Sequence, residues 1–179
     1  MRHDDAARPF VIAVDGHSAA GKSTFARQLA DSIGDDTTII AMDDFYRVMD
    51  PDERLGLTPR EGVDRYFDWE RLIDEVLMRL EIGAHLRCAP YDWIEGRLGP
   101  ERAIVIGRVV IVEGVYSARP ELRPFVDRHV LVDTPADKRH ARQTARGESS
   151  LEWRTRWEAA EDVYFAEVYA DDADERIAG

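Results

Sequence analysis

Lysine is nearly missing from this 179-residue chain: Lys22 and Lys138 are the only two, and arginine supplies the other basic side chains. Cysteine is scarcer still, since Cys88 stands alone, which excludes an intrachain disulfide and suits a reducing compartment. No apolar run approaches the roughly 18 residues that a membrane-spanning helix needs. The opening MRHDDAARPF carries acids and lacks the apolar stretch of a secretory signal. Positive charge is in deficit throughout, with a net charge of −12 and a pI near 4.8. That balance argues against nucleic acid or an anionic membrane as partner, because phosphate surfaces attract basic ones. A soluble cytoplasmic protein is expected, and any polyanion it binds must be held by a dedicated local site. Repeats, low-complexity tracts and linkers are also wanting, so residues 1–179 are read as one domain. The oligomeric state is left open.

What is present alternates between strand and helix. Phe10 to Val14 is a short β-branched run that predicts a buried strand, and a helix is expected from Lys22 to Ile33, with Phe25, Leu29 and Ile33 at helical spacing and Gly34 beyond. Thr37 to Met42 predicts a second strand, ending at Asp43-Asp44. Asp50 to Gly62 is polar and proline-bearing and reads as a surface excursion. Trp69 to Ile82 carries one apolar helical face behind Asp68, a residue type suited to an N-cap. Ala103 to Ile106, Val109 to Val112 and Val130 to Val132 predict further strands. Helices are expected over Ala136 to Ala145 and Leu151 to Ala170. This order predicts an α/β fold with a mostly parallel sheet, whose ligands bind beyond the carboxyl ends of the strands.

One stretch sits at such an end. Gly16-His17-Ser18-Ala19-Ala20-Gly21-Lys22-Ser23-Thr24 fits the phosphate-binding pattern GxxxxGK[ST] at every fixed position. A strand precedes it and a helix follows. Its glycines let the backbone curl so that N–H groups point at phosphate oxygens, and the helix N-terminus adds partial positive charge. Lys22 is then placed to reach the β- and γ-phosphates and Ser23 to ligate Mg²⁺, which makes ATP and Mg²⁺ the expected cofactors. The strand-end acids Asp43, Asp44, Glu113 and Asp133 are candidates for the metal and for an acceptor hydroxyl, although acids also commonly begin loops.

Taken with "MDDFYR" (42–47), "YFDW" (66–69), "PYDW" (90–93), "VVIVEG" (109–114) and "VLVDTPADKRHARQTAR" (130–146), the glycine loop resembles the uridine kinase branch of the uridine kinase/phosphoribulokinase P-loop family. The resemblance implies a P-loop NTPase fold of three layers, α/β/α, with a short lid. It implies that Asp43 receives the proton of the acceptor hydroxyl, that Tyr46, Asp68 and Tyr91 line a nucleoside with Asp68 at the ribose, and that Glu113 supports Mg²⁺. It implies too that Arg139, Arg142 and Arg146 clamp phosphates from the lid. Some of these have a plainer alternative: Asp68 as an N-cap, Tyr91 as a core aromatic, Arg139 and Arg142 as a solvated helix face; Asp44 reads as structural.

The chain departs from the family in three places. Ile94-Glu95-Gly96-Arg97 holds no histidine where uridine kinases read the pyrimidine, "RGESS" (146–150) shortens the lid, and the chain closes on "ADERIAG" where the family has its last strand. The expected activity is transfer of the ATP γ-phosphoryl to a hydroxyl of a small molecule, foremost a ribonucleoside 5′-OH. Pantothenate, nicotinamide riboside and sugars are competing acceptors. A non-catalytic nucleotide switch is the reading from another class, against which stands the lack of a guanine-reading N-K-x-D.

Overall fold

The computed structural model describes residues 8–83, 85–147 and 150–179. Five strands form the central sheet: β1 (Phe10–Asp15), β2 (Thr37–Ala41), β7 (Val109–Glu113), β8 (Arg128–Asp133) and β9 (Glu175–Ala178). Their order is β2-β7-β1-β8-β9, and every pairing is parallel. Helices cover both faces, so the layering is α/β/α. The strand residues alternate between two cores as the pleat requires. Ile12, Val14, Ile111, Val130 and Val132 pack against Ala26, Phe25 and Leu29 of α1 (Lys22–Ile33). Val11, Ile40, Val110 and Val112 face a larger core. That core is completed by α3 (Pro59–Arg65), α4 (Trp69–Leu72) with its π-helical continuation Ile73–Leu77 and α5 (Met78–Glu81), and α7 (Leu151–Val163) with a π-helical turn over Tyr164–Val168. Among the described residues, no helix is long and apolar enough to cross a membrane.

Three expectations are corrected. The segment 50–62 is not an irregular excursion but α2 (Pro51–Gly56) and the start of α3. Its prolines open helices: each sits in the first turn, where the missing N–H costs nothing. Asp50 caps α2, and Thr58 with Glu61 forms a reciprocal capping box on α3. The closing residues do supply a last strand, since β9 pairs with β8 from Val130↔Glu175 to Asp133↔Ala178. With only Ile177 packed against the core, β9 carries too little apolar pattern to be read from sequence. The run 103–106 does not join the sheet. Instead β6 (Arg102–Ile104) pairs antiparallel with β3 (Leu86–Cys88) in a separate ribbon, beside a second small ribbon of β4 (Tyr91–Asp92) and β5 (Arg97–Leu98). Two residues of the short lid, Glu148 and Ser149, lie outside the described residues.

The sheet brings the ends of β1, β2 and β7 together at one edge of the molecule. Gly114, just past β7, has φ +144°, and a Cβ there would lie 2.4 Å from the Cβ of the fully buried Met42. Both the backbone conformation and the contact demand glycine. Gly114→Ala is therefore expected to lower stability by about 2 kcal/mol or more, read as a reduced urea midpoint at unchanged slope.

Candidate active site

Beyond the strand ends lies a cavity of about 710 Å³. Its floor is the glycine loop and the start of α1: Ser18, Ala19, Gly21, Lys22, Ser23 and Thr24 all line it. The loop keeps its shape through a tight turn, Ala20 N–H to His17 O at 3.1 Å, and through Gly16, whose φ of +145° brings its α-carbon against the carbonyl of Val132. Lys22 folds back so that Nζ donates to His17 O at 2.8 Å, and the side chain is largely buried. Gly16, His17 and Ala20 support the loop from behind and do not line the cavity. His17 stacks on Phe165 with ring centroids 4.0 Å apart.

Two acids face this floor. The Ser23 hydroxyl donates to Glu113 Oε2 at 3.1 Å, placing a hydroxyl and a carboxylate side by side at the ends of α1 and β7. Asp43 sits two residues beyond β2, in a 3₁₀ turn over Met42–Phe45 and not on the strand itself. Asp43 is solvent-exposed where it borders the cavity, although neighbouring protein atoms crowd its carboxylate. That desolvation pushes the pKa of Asp43 upward, against the pull of Lys22 and with help from Asp44. Burial also raises Glu113, again opposed by Lys22 and by the Ser23 hydrogen bond. Asp44 turns away and pairs with Arg102 at 2.6 Å.

The remaining wall is aromatic and cationic. Tyr46, Trp93, Trp153 and Trp157 line it with Arg27, Gln143, Arg146 and Arg154. Tyr46 and Trp93 lie 4.6 Å apart, and Trp157 stacks on Tyr66 at 5.1 Å. Of the residues singled out in the sequence, Arg146 reaches the cavity from the end of α6 (Ala136–Arg146). Arg142 does something else: its Nη1 donates to the carbonyls of Ala19 and Ala20, both at 3.1 Å, tying α6 to the glycine loop. Arg139 donates to Thr134 O at 3.1 Å and lies off the wall. Asp68 caps α4 and pairs with Arg47 at 3.4 Å, and Tyr91 packs behind Tyr46 and Trp93. Neither lines the cavity. Sequence reasoning passed over Trp93, Trp153, Trp157, Arg27 and Arg154. The one available signal was that three of the chain's four tryptophans fall in two short polar segments.

The cavity's hydroxyl–carboxylate pair suits a hard divalent cation such as Mg²⁺, which takes few protein oxygens and keeps water or phosphate for the rest. Among the described residues there is no cluster of three or more His, Cys, Asp or Glu side chains that could cage a metal.

Comparison with known proteins agrees with this geometry. The model of the "Phosphoribulokinase / Uridine kinase family" matches residues 11–162, which include the glycine loop, both acids and the whole aromatic wall. The chain is 28% identical over 144 residues to a uridine kinase of Chlamydia pneumoniae, covering 76% of this chain and 63% of that one. It is 31% identical over 147 residues to a uridine kinase of Deinococcus deserti, covering 78% and 69%. The chain thus spans under two thirds of the Chlamydia protein. A solved structure described as a possible uridine kinase from Bacillus stearothermophilus superposes with a TM-score of 0.76 at 24% identity, over 97% of this chain and 90% of that one, which supports the fold.

His17 gives the loop a pH signature. Burial, then Arg139 and Lys22, lower its pKa to about 4. A histidine held neutral by the fold stabilises fully above its unfolded value of about 6.5, and that contribution is lost as the pH falls towards 4. Relative to His17→Gln, the wild-type melting temperature is expected to drop between pH 6.5 and 4. Parallel pH profiles of the two proteins would contradict this.

Proposed function

We propose, from the premise that this chain belongs to the Phosphoribulokinase / Uridine kinase family, that it transfers the γ-phosphoryl group of ATP to a hydroxyl of a small acceptor, the 5′-OH of a ribonucleoside. One observation carries the reading: Lys22 and Ser23, the two acids Asp43 and Glu113, and an aromatic wall share a single cavity. A phosphate floor alone would serve any nucleotide-binding protein. An acid beside that floor, next to a pocket for a planar group, serves a phosphotransferase.

The roles follow from position. Backbone N–H groups of Gly21, Lys22 and Ser23 cradle the phosphates, and Lys22 stabilises charge on the transferred group. Ser23 and Glu113 would hold Mg²⁺, which supplies charge neutralisation on the β- and γ-phosphates when bound. The acceptor oxygen attacks the γ-phosphorus while Asp43 takes its proton, and ADP leaves. A carboxylate whose pKa is raised by desolvation is a stronger base than one in water. Tyr46, Trp93, Trp153 and Trp157 would sandwich the base, and Arg146 would cover the phosphates from the lid. Arg142, bound to the loop carbonyls, would hold the lid helix in register with the loop. Stacking tolerates any planar base, and the missing histidine removes hydrogen-bond readout, so discrimination among bases should be reduced by about 1–3 kcal/mol.

An ADP-release assay across nucleosides, pantothenate, nicotinamide riboside and hexoses tests the acceptor. Several nucleosides are expected to be accepted at comparable rates. Turnover of pantothenate or a hexose without any nucleoside would overturn the assignment.

Two substitutions separate chemistry from binding. Asp43→Asn removes the proton acceptor at nearly constant size, and kcat is expected to fall about 10²- to 10⁴-fold with calorimetric ATP affinity nearly unchanged. Lys22→Ala is expected to weaken ATP binding and slow transfer together. Near-normal turnover in Asp43→Asn would return Asp43 to a simple loop acid.

A further inference from the structure

One face of α7 and its π-helical continuation reaches the end of β1 and the glycine loop with four side chains. Phe165 stacks on His17, and the Tyr164 hydroxyl donates to Asp15 at 2.7 Å. Glu161 Oε1 accepts the Ser18 backbone N–H at 3.0 Å and the Ser18 hydroxyl as well. Trp157 donates its indole N–H to that same Glu161 oxygen at 2.6 Å and lies 2.7 Å from Ser18 Oγ. Positions 157, 161, 164 and 165 follow the i, i+4, i+7, i+8 spacing of a single helix face.

Glu161 is the unusual member. It is fully buried, one oxygen carries all three donors, and the other oxygen is shielded from water with no partner among the described residues. Packing α7 against the core does not call for a carboxylate, and a hydrophobic side chain would fill the space at less cost. What an acceptor oxygen does here is join two surfaces that face different ligands. Ser18 belongs to the phosphate floor, while the Trp157 ring forms part of the acceptor wall.

We propose that Glu161 is a positioning residue that couples the glycine loop to the aromatic wall, so that nucleotide bound at Ser18 and acceptor seated against Trp157 reinforce each other. The loop cannot shift at Ser18 without moving the oxygen that orients the indole. The proposal rests on the phosphotransferase reading only in requiring a nucleotide at the loop, and it is independent of the acceptor's identity.

The test uses a non-hydrolysable ATP analogue with Mg²⁺ as probe. Calorimetry gives its affinity, and the indole N–H resonance of Trp157, assigned with W157F, reports whether the wall responds. In the wild type the resonance is expected to move on binding. In E161A the analogue is expected to bind about 5- to 20-fold more weakly, within the usual range of coupling between sites, and the resonance should no longer follow binding. E161Q, whose amide oxygen accepts the same bonds, should restore affinity to within about threefold of the wild type, together with the resonance response. Should E161A fail to fold, E161D, which withdraws the carboxylate by one methylene, is expected to show the same loss. Wild-type affinity and an unchanged resonance response in E161A or E161D would overturn the proposal. So would a loss in E161Q as large as in E161A. A moving resonance beside an absence of nucleoside turnover would support the coupling while removing the nucleoside assignment. Failure of the wild type to bind the analogue would remove both.

Discussion

The site depends on one buried carboxylate. Asp15, the last residue of β1, is fully buried and accepts four donors: Gly16 N–H at 2.7 Å, Tyr116 N–H at 3.1 Å, Ala118 N–H at 3.0 Å and the Tyr164 hydroxyl at 2.7 Å. Those donors come from the start of the glycine loop, from the segment after β7 and from the end of α7. Desolvation drives the pKa of Asp15 upward, and the hydrogen bonds from Tyr164, Gly16 and Ala118 and the charge of Lys22 oppose it. A buried carboxylate is tolerable only when its lone pairs are occupied, so loss of any one donor leaves the others around a poorly compensated group. The geometry of loop, β7 turn and α7 is therefore set jointly by one side chain.

Charge is distributed against the grain of the whole molecule. The chain carries −12, yet Lys22, Arg27, Arg146 and Arg154 gather around Asp43 and Glu113. Elsewhere arginines meet carboxylates, as Arg119 does with Glu121 and Arg102 with Asp44. Within the cavity, Arg154 Nε is shielded and has no hydrogen-bond partner among the described residues. An acidic exterior repels extended polyanions, while the concave basic interior attracts a small one.

Legibility in the sequence followed how local the signal was. The glycine loop is a contiguous backbone device, so β1, the loop and α1 appear where the pattern places them. Asp43 and Glu113 were found because strand ends are themselves a pattern. The helices after Asp50 were missed because proline was weighed as a breaker, although Thr58 and Glu61 spell a capping box. The tryptophan wall was missed for a different reason: Trp93 and Trp157 lie far apart in sequence, and only tertiary packing through Tyr46 makes them neighbours. Arg142 shows the limit of residue type. A guanidinium on a lid helix suits phosphate or carbonyl oxygens equally, and the fold directs it to the carbonyls of Ala19 and Ala20.

Helix α6 buries none of its own residues. Among the described residues, its polar ties to the body include the Arg142 grip on the loop, the Arg139 contact with Thr134 O, and a His140–Glu158 approach of 3.6 Å. A helix so lightly held draws much of its persistence from its own backbone propensity. Under the proposed reaction, some of the free energy of nucleotide binding goes into fixing this helix. Affinity then becomes adjustable from solvent-facing positions such as Lys138 and Thr144, where a better or worse helix former changes the ordering cost by tenths of a kcal/mol. The enzyme's grip on ATP would in this way be tuned by residues that never touch it.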